Sequence, residues 1–232
     1  MFTRHARIFH LSWSGGLARD DRVLHDLSRL EGTEVVATVK LDGENTSFYR
    51  DGLHARSLEF VPRVDRGELR ALHASIAHEI PDGWRICGEN MWAAHSCYYE
   101  NLKSIFYVHS IWRSATSCLS WDETCEWAAL LDLPVVPEIY RGPWNEDVLR
   151  SLHRPEHNGD PCEGYVVRVT SSFEHDLNAE ALQHLAKYVR AGHVQTQAHW
   201  TKSIRPNPFV ENLHGRNRPS AGATGLEHRD GR

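Results

Sequence analysis

The sequence predicts a mixed, largely antiparallel α+β domain. Three observations carry this expectation. β-Branched and aromatic runs such as Val36-Ala37-Thr38-Val39 and the string KSIFYVHSIW over residues 103 to 112 are bounded by glycine- or proline-bearing breaks. Short segments at helical spacing join these runs. A length of 232 residues supports one sizeable core and leaves little room for a second.

In chain order, His10-Leu11-Ser12-Trp13-Ser14-Gly15-Gly16 reads as loop. Asp20 and Asp21 then open a short helix through Val23, Leu24, Leu27 and Leu30, closed near Gly32. A strand through Val36 to Lys40 follows, breaks at Asp42-Gly43, and resumes as Thr46-Ser47-Phe48-Tyr49-Arg50. Asp51-Gly52 turns it into a hairpin partner at 53 to 57. Leu69, Leu72, Ile76 and Ile80 share one face of a helix over 66 to 80, which Pro81-Asp82-Gly83 ends before a strand at 84 to 90. Residues 103 to 112 form the most strand-like run. Ser120 and Glu123 stand in capping-box spacing for a helix reaching Leu131. A strand at 134 to 140, a short helix at 146 to 152 and a strand at 163 to 169 come next. A helix around 178 to 184 is expected to lead into Lys187-Tyr188-Val189-Arg190. The domain is expected to span 1–205, and 206–232, poor in apolar residues, to be a disordered polar tail.

Composition narrows the function. Hydrophobic content of 41% with charged content of 25% is that of an ordinary soluble protein. No apolar run approaches a membrane span, and residues 1 to 19 lack the apolar core of a secretion signal. Five cysteines without CxxC spacing argue for reduced thiols in a cytoplasmic protein. The net charge of −5 excludes a basic protein that coats nucleic acid through bulk electrostatics. Any such contact needs a local patch: Arg56, Arg63, Arg66 and Arg70, or Lys187 and Arg190. Of the sixteen histidines only His153 and His157 stand in HxxxH spacing, with Pro155 between them to break a helix, and none forms HExxH, which argues against a histidine metal site.

Lysine is scarce. Lys40, Lys103, Lys187 and Lys202 are the only ones in a chain that otherwise uses arginine. Arginine is a permanent cation, whereas a lysine amine can lose its proton and attack. Lys40 sits where a strand meets a tight turn, a place that presents side chains at a rim; the plain alternative is an exposed hairpin lysine. Further along come Gly88-Glu89, the aromatic strand, Glu163-Gly164 and Lys187-x-x-Arg190.

Each string is weak alone. In this order, with an aromatic strand third, they resemble the covalent lysyl-nucleotidyltransferases: ATP-dependent RNA and DNA ligases and mRNA capping enzymes. Flanking text narrows the resemblance to the ATP-dependent RNA ligase family: HLSWS and DDRVL before the lysine, KLDGEN around it, then GENMWAAHS, IFYVHSIW, EGYVVR and KYVRAGHVQT. It covers roughly residues 10 to 200.

The resemblance implies a nucleotidyltransferase (ATP-grasp-like ligase adenylation) domain. Lys40 would attack the α-phosphate of ATP to form lysyl-AMP. Lys187 matches the family's basic motif beside that phosphate, with Arg190 a second candidate, and a surface cation is the alternative for Lys187. Glu163 matches a metal-binding glutamate for Mg²⁺ or Mn²⁺. Glu89 matches an acid acting at the ribose or the metal. Asp42 belongs to the nucleotide-binding set, and Asn45 matches a position that brings metal and the RNA end to the adenylate. Arg56 is expected at the ribose or the RNA 5′-phosphate, with Arg50 competing for that role. His109 stands where the superfamily places a phenylalanine that stacks on adenine, and Ser110 replaces the acid that usually follows; a packing histidine is the alternative.

DNA ligases and capping enzymes append an OB-fold, but only a polar tail follows Trp200. The resemblance therefore implies a minimal RNA ligase joining RNA 5′-phosphate and 3′-hydroxyl ends in RNA repair, fed by an end-processing kinase or phosphatase partner. Two alternatives stay open: a relative acting on DNA ends or capping with GTP, and a nucleic-acid-end binding module without turnover.

Overall fold

A computed structural model describes residues 2–56, 67–193 and 205–209. The chain runs through β1 (Arg7–His10), β2 (Glu34–Val39), β3 (Glu44–Tyr49), β4 (Gly52–Ala55), α1 (Gly67–Ile76), β5 (Arg85–Asn90) and β6 (Ala93–Ala94). Then come β7 (Phe106–Trp112), β8 (Ser117–Cys118), α2 (Trp121–Leu130), β9 (Glu138–Pro143), α3 (Glu146–Ser151), β10 (Glu156–His157) and β11 (Asp160–Pro161). β12 (Gly164–Val169), β13 (Phe173–Glu174), β14 (Ala181–Val189) and β15 (Arg205–Pro206) complete it.

Two sheets carry the fold. One has the order β1-β14-β12-β2-β9, the other β13-β8-β7-β5-β3-β4. Of the pairings between these strands, only β1 with β14 is parallel. The mixed, largely antiparallel expectation therefore holds. Leu11, Val35, Ala37, Tyr165, Val167 and Leu182 form the core of the first sheet. Phe48, Ile86, Phe106 and Ile111 of the second sheet pack with Leu69 and Ile76 of α1 and Ala128 of α2. A third cluster joins Val36 and Val39 of β2 to Met91, Tyr99, Tyr107 and Trp121.

The chain leaves the first sheet at the end of β2 and enters the second at β3. Residues 40–43 make that crossing. Gly43 is required there, because a Cβ would lie 2.5 Å from the Asn90 carbonyl oxygen.

α2 begins with the expected box: Ser120 Oγ accepts from Glu123 N at 3.2 Å, and Glu123 Oε2 accepts from Ser120 N at 3.0 Å. Two expected helices do not form. Residues 20–30, all described, contain only a bridge at Val23 and a turn. Their polar backbone pairs with β1 instead: His10 N donates to Arg22 O and Leu24 N to His10 O, both at 2.8 Å. Residues 178–184 run into β14. Ala181 and Leu182, adjacent in sequence, are both buried because both sides of this central strand are covered, which removes the two-residue alternation that marks a strand.

The tail expected from 206 begins with packed residues. Pro206 pairs with Ala93, and Asn207 is buried, with Nδ2 donating to Met91 O at 2.8 Å. The rest of 206–232 beyond Phe209 lies outside the described residues, as do Arg63 and Arg66 of the expected basic patch.

Candidate active site

Strand register sets the charged half of the site. Thr38 faces Val166, which faces Lys187 across β12 and β14. Lys40 lies two residues beyond Thr38 and therefore on the same face as Lys187. Its backbone N donates to Gly164 O at 3.0 Å, and its Nζ pairs with Glu163 Oε2. Glu163 is buried, while 24% of the Lys40 side chain is exposed. Burial presses the Lys40 pKa down, but Glu163, then Asp42 and Glu89, overcome this, and the net shift is upward. Lys40 is therefore an ammonium at neutral pH. Lys187 shifts the other way, lowered by burial and then by the charge of Lys40. Gly164 lets β14 approach Glu163, since a Cβ there would stand 2.0 Å from Tyr188 O.

Asp42 is fixed by the loop after β6. Its Oδ2 accepts from Ser96 N at 2.8 Å, Ser96 Oγ at 2.5 Å and Cys97 N at 2.9 Å, and its own N donates to Tyr99 Oη at 2.9 Å. Burial opposes its ionisation, but the Ser96 hydroxyl and Lys40 outweigh it and hold the carboxyl below the usual range. His193 closes the group: Nε2 is 3.3 Å from Glu163 Oε1 and 3.1 Å from Ser96 Oγ. Donor atoms of Asp42, Glu163 and His193 lie within 4.8 Å of one another. Two carboxylate oxygens and an imidazole nitrogen suit a divalent cation such as Mn²⁺. Glu89 stands close by; burial pushes its carboxyl up to about 8, Lys40 opposing and Asp42 and Glu163 adding to the rise.

The second half of the site is neutral. Asn45 of β3 faces Glu89 of β5, which faces Tyr107 of β7. Gly88 then faces Val108 and Cys87 faces Ser110, so His109 is the extra residue of a bulge. Its Nε2 is 2.9 Å from Asn45 Nδ2 and its Nδ1 is 3.1 Å from Ser110 Oγ, while the His5 ring packs edge-on at 5.3 Å. Burial, then Arg168 and Arg85, bring the imidazole down to about 4, so it is uncharged at neutral pH. Asn45 Oδ1 is buried without a hydrogen-bond partner.

The structure thus brings Lys40, Asp42, Glu89, Glu163 and Lys187 together, and pairs Asn45 with His109. Among the described residues, Glu89 is not in the three-donor cluster. Arg190 donates its backbone N to Glu163 O at 3.0 Å. Arg56 is exposed after β4, within electrostatic range of Arg7, Arg4, Glu89 and Asp21. Arg50 is engaged elsewhere: it donates to Ile80 O at 2.8 Å and His78 O at 3.2 Å, and meets Asp82 at 3.0 Å.

The sequence model of the RNA ligase family matches residues 33–189. The chain belongs to the RNA ligase family. Among solved structures, Naegleria gruberi RNA ligase with PPi matches at 16% identity and a TM-score of 0.51, covering 81% of this chain and 59% of that one. This likeness shows a shared fold. A variant of the same ligase with AMP and Mn matches at 18% identity and a TM-score of 0.47, covering 65% and 52%. A further variant with ATP and Mn matches at 17% and 0.46, covering 72% and 52%. The chain spans about half the length of these Naegleria chains. No curated protein sequence matches it.

Within this RNA ligase family member, Lys40, Asp42, Glu89, Glu163 and Lys187 all lie in the matched span, whereas His193 lies past its end. Sequence reasoning missed His193, Ser96 and Asp21 as site residues. His193 was visible only as part of the string KYVRAGHVQT, six residues after Lys187; no ligand spacing announces it, because its partners are 97 and 30 residues away.

Proposed function

We propose that the protein is an ATP-dependent RNA ligase that seals a 5′-phosphate to a 3′-hydroxyl. The Lys40 amine loses a proton and attacks the α-phosphorus of ATP. An N–P bond forms, the bond to the β-phosphate oxygen breaks, and pyrophosphate leaves. A 5′-phosphate oxygen of RNA then takes the AMP from Lys40, and a 3′-hydroxyl attacks the activated 5′-phosphate, releasing AMP.

One observation carries this reading: the lone lysine at the crossing between the sheets is ion-paired to the buried Glu163 and shares a face with Lys187. A binding module has no use for a reachable lysine in that setting. Lys187, whose own pKa the charge of Lys40 helps to lower, supplies positive charge for phosphate, the main source of rate in nucleotidyl transfer. Glu163, the residue that keeps Lys40 protonated, belongs with Asp42 and His193 to the set that would hold Mg²⁺ or Mn²⁺. A divalent cation bound there would neutralise phosphate charge and occupy the carboxylates that now retain the lysine proton. Glu89 and Arg56 line the approach for ribose or RNA phosphate, guanidinium matching phosphate in a two-toothed contact. Asn45 and His109 form the neutral end for the base, with the open Asn45 Oδ1 as acceptor for an exocyclic amine.

No helix among the described residues is long and apolar enough to cross a membrane. The five cysteines are free thiols, which fits a reducing cytoplasmic compartment and RNA repair there, with a kinase or phosphatase preparing the ends.

The test is a ligation panel of 5′-phosphorylated single-stranded, nicked-duplex and hairpin RNAs beside DNA nicks, with ATP, with GTP and with preadenylylated RNA. ATP-driven sealing of at least one RNA is expected. Sealing of DNA alone, or use of GTP alone, would replace this reading with that of a relative acting on other ends.

A further inference from the structure

The segments HLSWS and DDRVL have no part in the chemistry above, and both precede the span matched by the RNA ligase family. They meet in space beside Lys187. His10 ends β1 directly opposite Lys187 of β14, and Leu11 N donates to Lys187 O at 2.8 Å. His10 is fully buried. Its Nδ1 lies 2.8 Å from Ser14 Oγ, and its Nε2 lies 3.1 Å from Asp21 Oδ1, though out of line for a full hydrogen bond. The same Asp21 oxygen is 3.5 Å from Lys187 Nζ. The other, Oδ2, accepts from Ala18 N at 2.9 Å, which fixes the carboxylate's orientation. Ser14 Oγ in turn accepts from Val189 N at 2.9 Å.

Hydrogen-bond capacity assigns the protons. A carboxylate only accepts, so the imidazole nitrogen facing Asp21 carries the hydrogen. Nδ1 is then an acceptor, and the Ser14 hydroxyl, already accepting from Val189 N, donates to it at 2.8 Å in preference to Val189 O, its longer alternative at 3.3 Å. Every link runs one way: from the β14 backbone through Ser14 and His10 to Asp21, whose charge falls on the Lys187 ammonium two residues before the starting point.

We propose that Ser14, His10 and Asp21 form a polar relay that positions the Lys187 ammonium for transfer of AMP to Lys40. The relay rests on the ligase reading for what Lys187 does, but not for its own geometry. The long, rotatable lysine arm needs such a hold, because a cation aimed at a transferring phosphoryl group must be placed before the reaction begins. Asp21 is a positioning residue, with no contact to nucleotide required.

A positioning role separates rate from binding. Asp21→Asn keeps the shape and removes an anion near the triphosphate site. The single-turnover rate of AMP transfer from labelled ATP should fall between about tenfold and about a hundredfold, as for a misplaced catalytic group. ATP affinity should stay equal or rise. Asp21→Glu should restore part of the rate, and Ser14→Ala should give a smaller loss. In a Lys187→Ala background, Asp21→Asn should have no further effect on the rate of AMP transfer. An Asp21→Asn rate equal to wild type overturns the relay, as does a loss of ATP affinity that accounts for the whole loss of rate. Absence of label on wild type would instead sink the ligase reading. The relay is then judged by ¹⁵N NMR of His10 in the wild-type chain: the Nε2–H tautomer supports it, and an Nδ1–H tautomer or an imidazolium overturns it.

Discussion

The two halves of the candidate site handle polar groups in opposite ways. At the ends of β2, β12 and β14, Lys40 is paired to Glu163, and Lys187 stands against Asp21, so the protein's own carboxylates neutralise both cations. At β3 and β7, His109 is held uncharged and Asn45 keeps a buried acceptor without a partner. An ion pair can exchange one anion for another, so the charged half satisfies itself and can still take an anion from outside. A buried neutral acceptor has no such exchange, and leaving it unpartnered costs free energy that a donor would recover.

Removing charge should therefore cost most. Glu163→Gln and Lys187→Ala should each lower the rate of AMP transfer by at least about a hundredfold, the scale of losing one preorganised electrostatic partner. Quenched single-turnover labelling reads this, and losses below tenfold for both would dissolve the distinction between the halves. Acid should act through stability, at His109 in the neutral half and at His10 beside Lys187. His109 and His10 ionise near 4 in the fold, and an unfolded histidine near 6.5. Between those values the unfolded chain binds more protons, so stability is intact above about 7 and falls as pH drops from about 6.5 toward about 4. The loss should reach at most about 3 kcal/mol for each histidine. Urea titrations at a series of pH values should show His109→Phe losing part of that slope; an unchanged slope would mean His109 is not held neutral.

His109→Phe should be mild for the chemistry, keeping AMP transfer within about tenfold, because a phenyl ring still offers a face for stacking although it frees the Asn45 amide. A loss as large as that of Lys187→Ala would place His109 on the charged side of the comparison. Arg50→Ala should do least. It removes an exposed ion pair and two carbonyl contacts remote from the site, so stability should drop by about 1 kcal/mol. AMP transfer should match wild type, and a clear drop would return Arg50 to the ribose or phosphate role.

Local signals in the sequence located what is local in the structure. The strand carrying Lys40, its hairpin partner and the Ser120–Glu123 box were legible because each is decided by residues within about ten positions. β14 misled, because a strand buried on both sides loses the alternation that would have marked it. Residues 20–30 misled for the converse reason: Leu24, Leu27 and Leu30 are spaced for a helix, but His10 takes the backbone bonds a helix would have used. The ordered strings exposed Lys40, Glu89, Glu163 and Lys187, since order along the chain survives folding. His193 and Asp21 stayed hidden because what makes them matter is a neighbour far away in sequence: Asp21 meets Lys187 across 166 positions.

The central claim is that Lys40 is the nucleophile, and one measurement reaches it directly. The wild-type chain, incubated with α-labelled ATP and Mg²⁺ or Mn²⁺, should acquire one AMP in a phosphoramidate bond. Peptide mass mapping should place it on Lys40, and Lys40→Ala should acquire none. An adduct on another residue, an adduct that persists in Lys40→Ala, or no adduct on wild type would contradict the account.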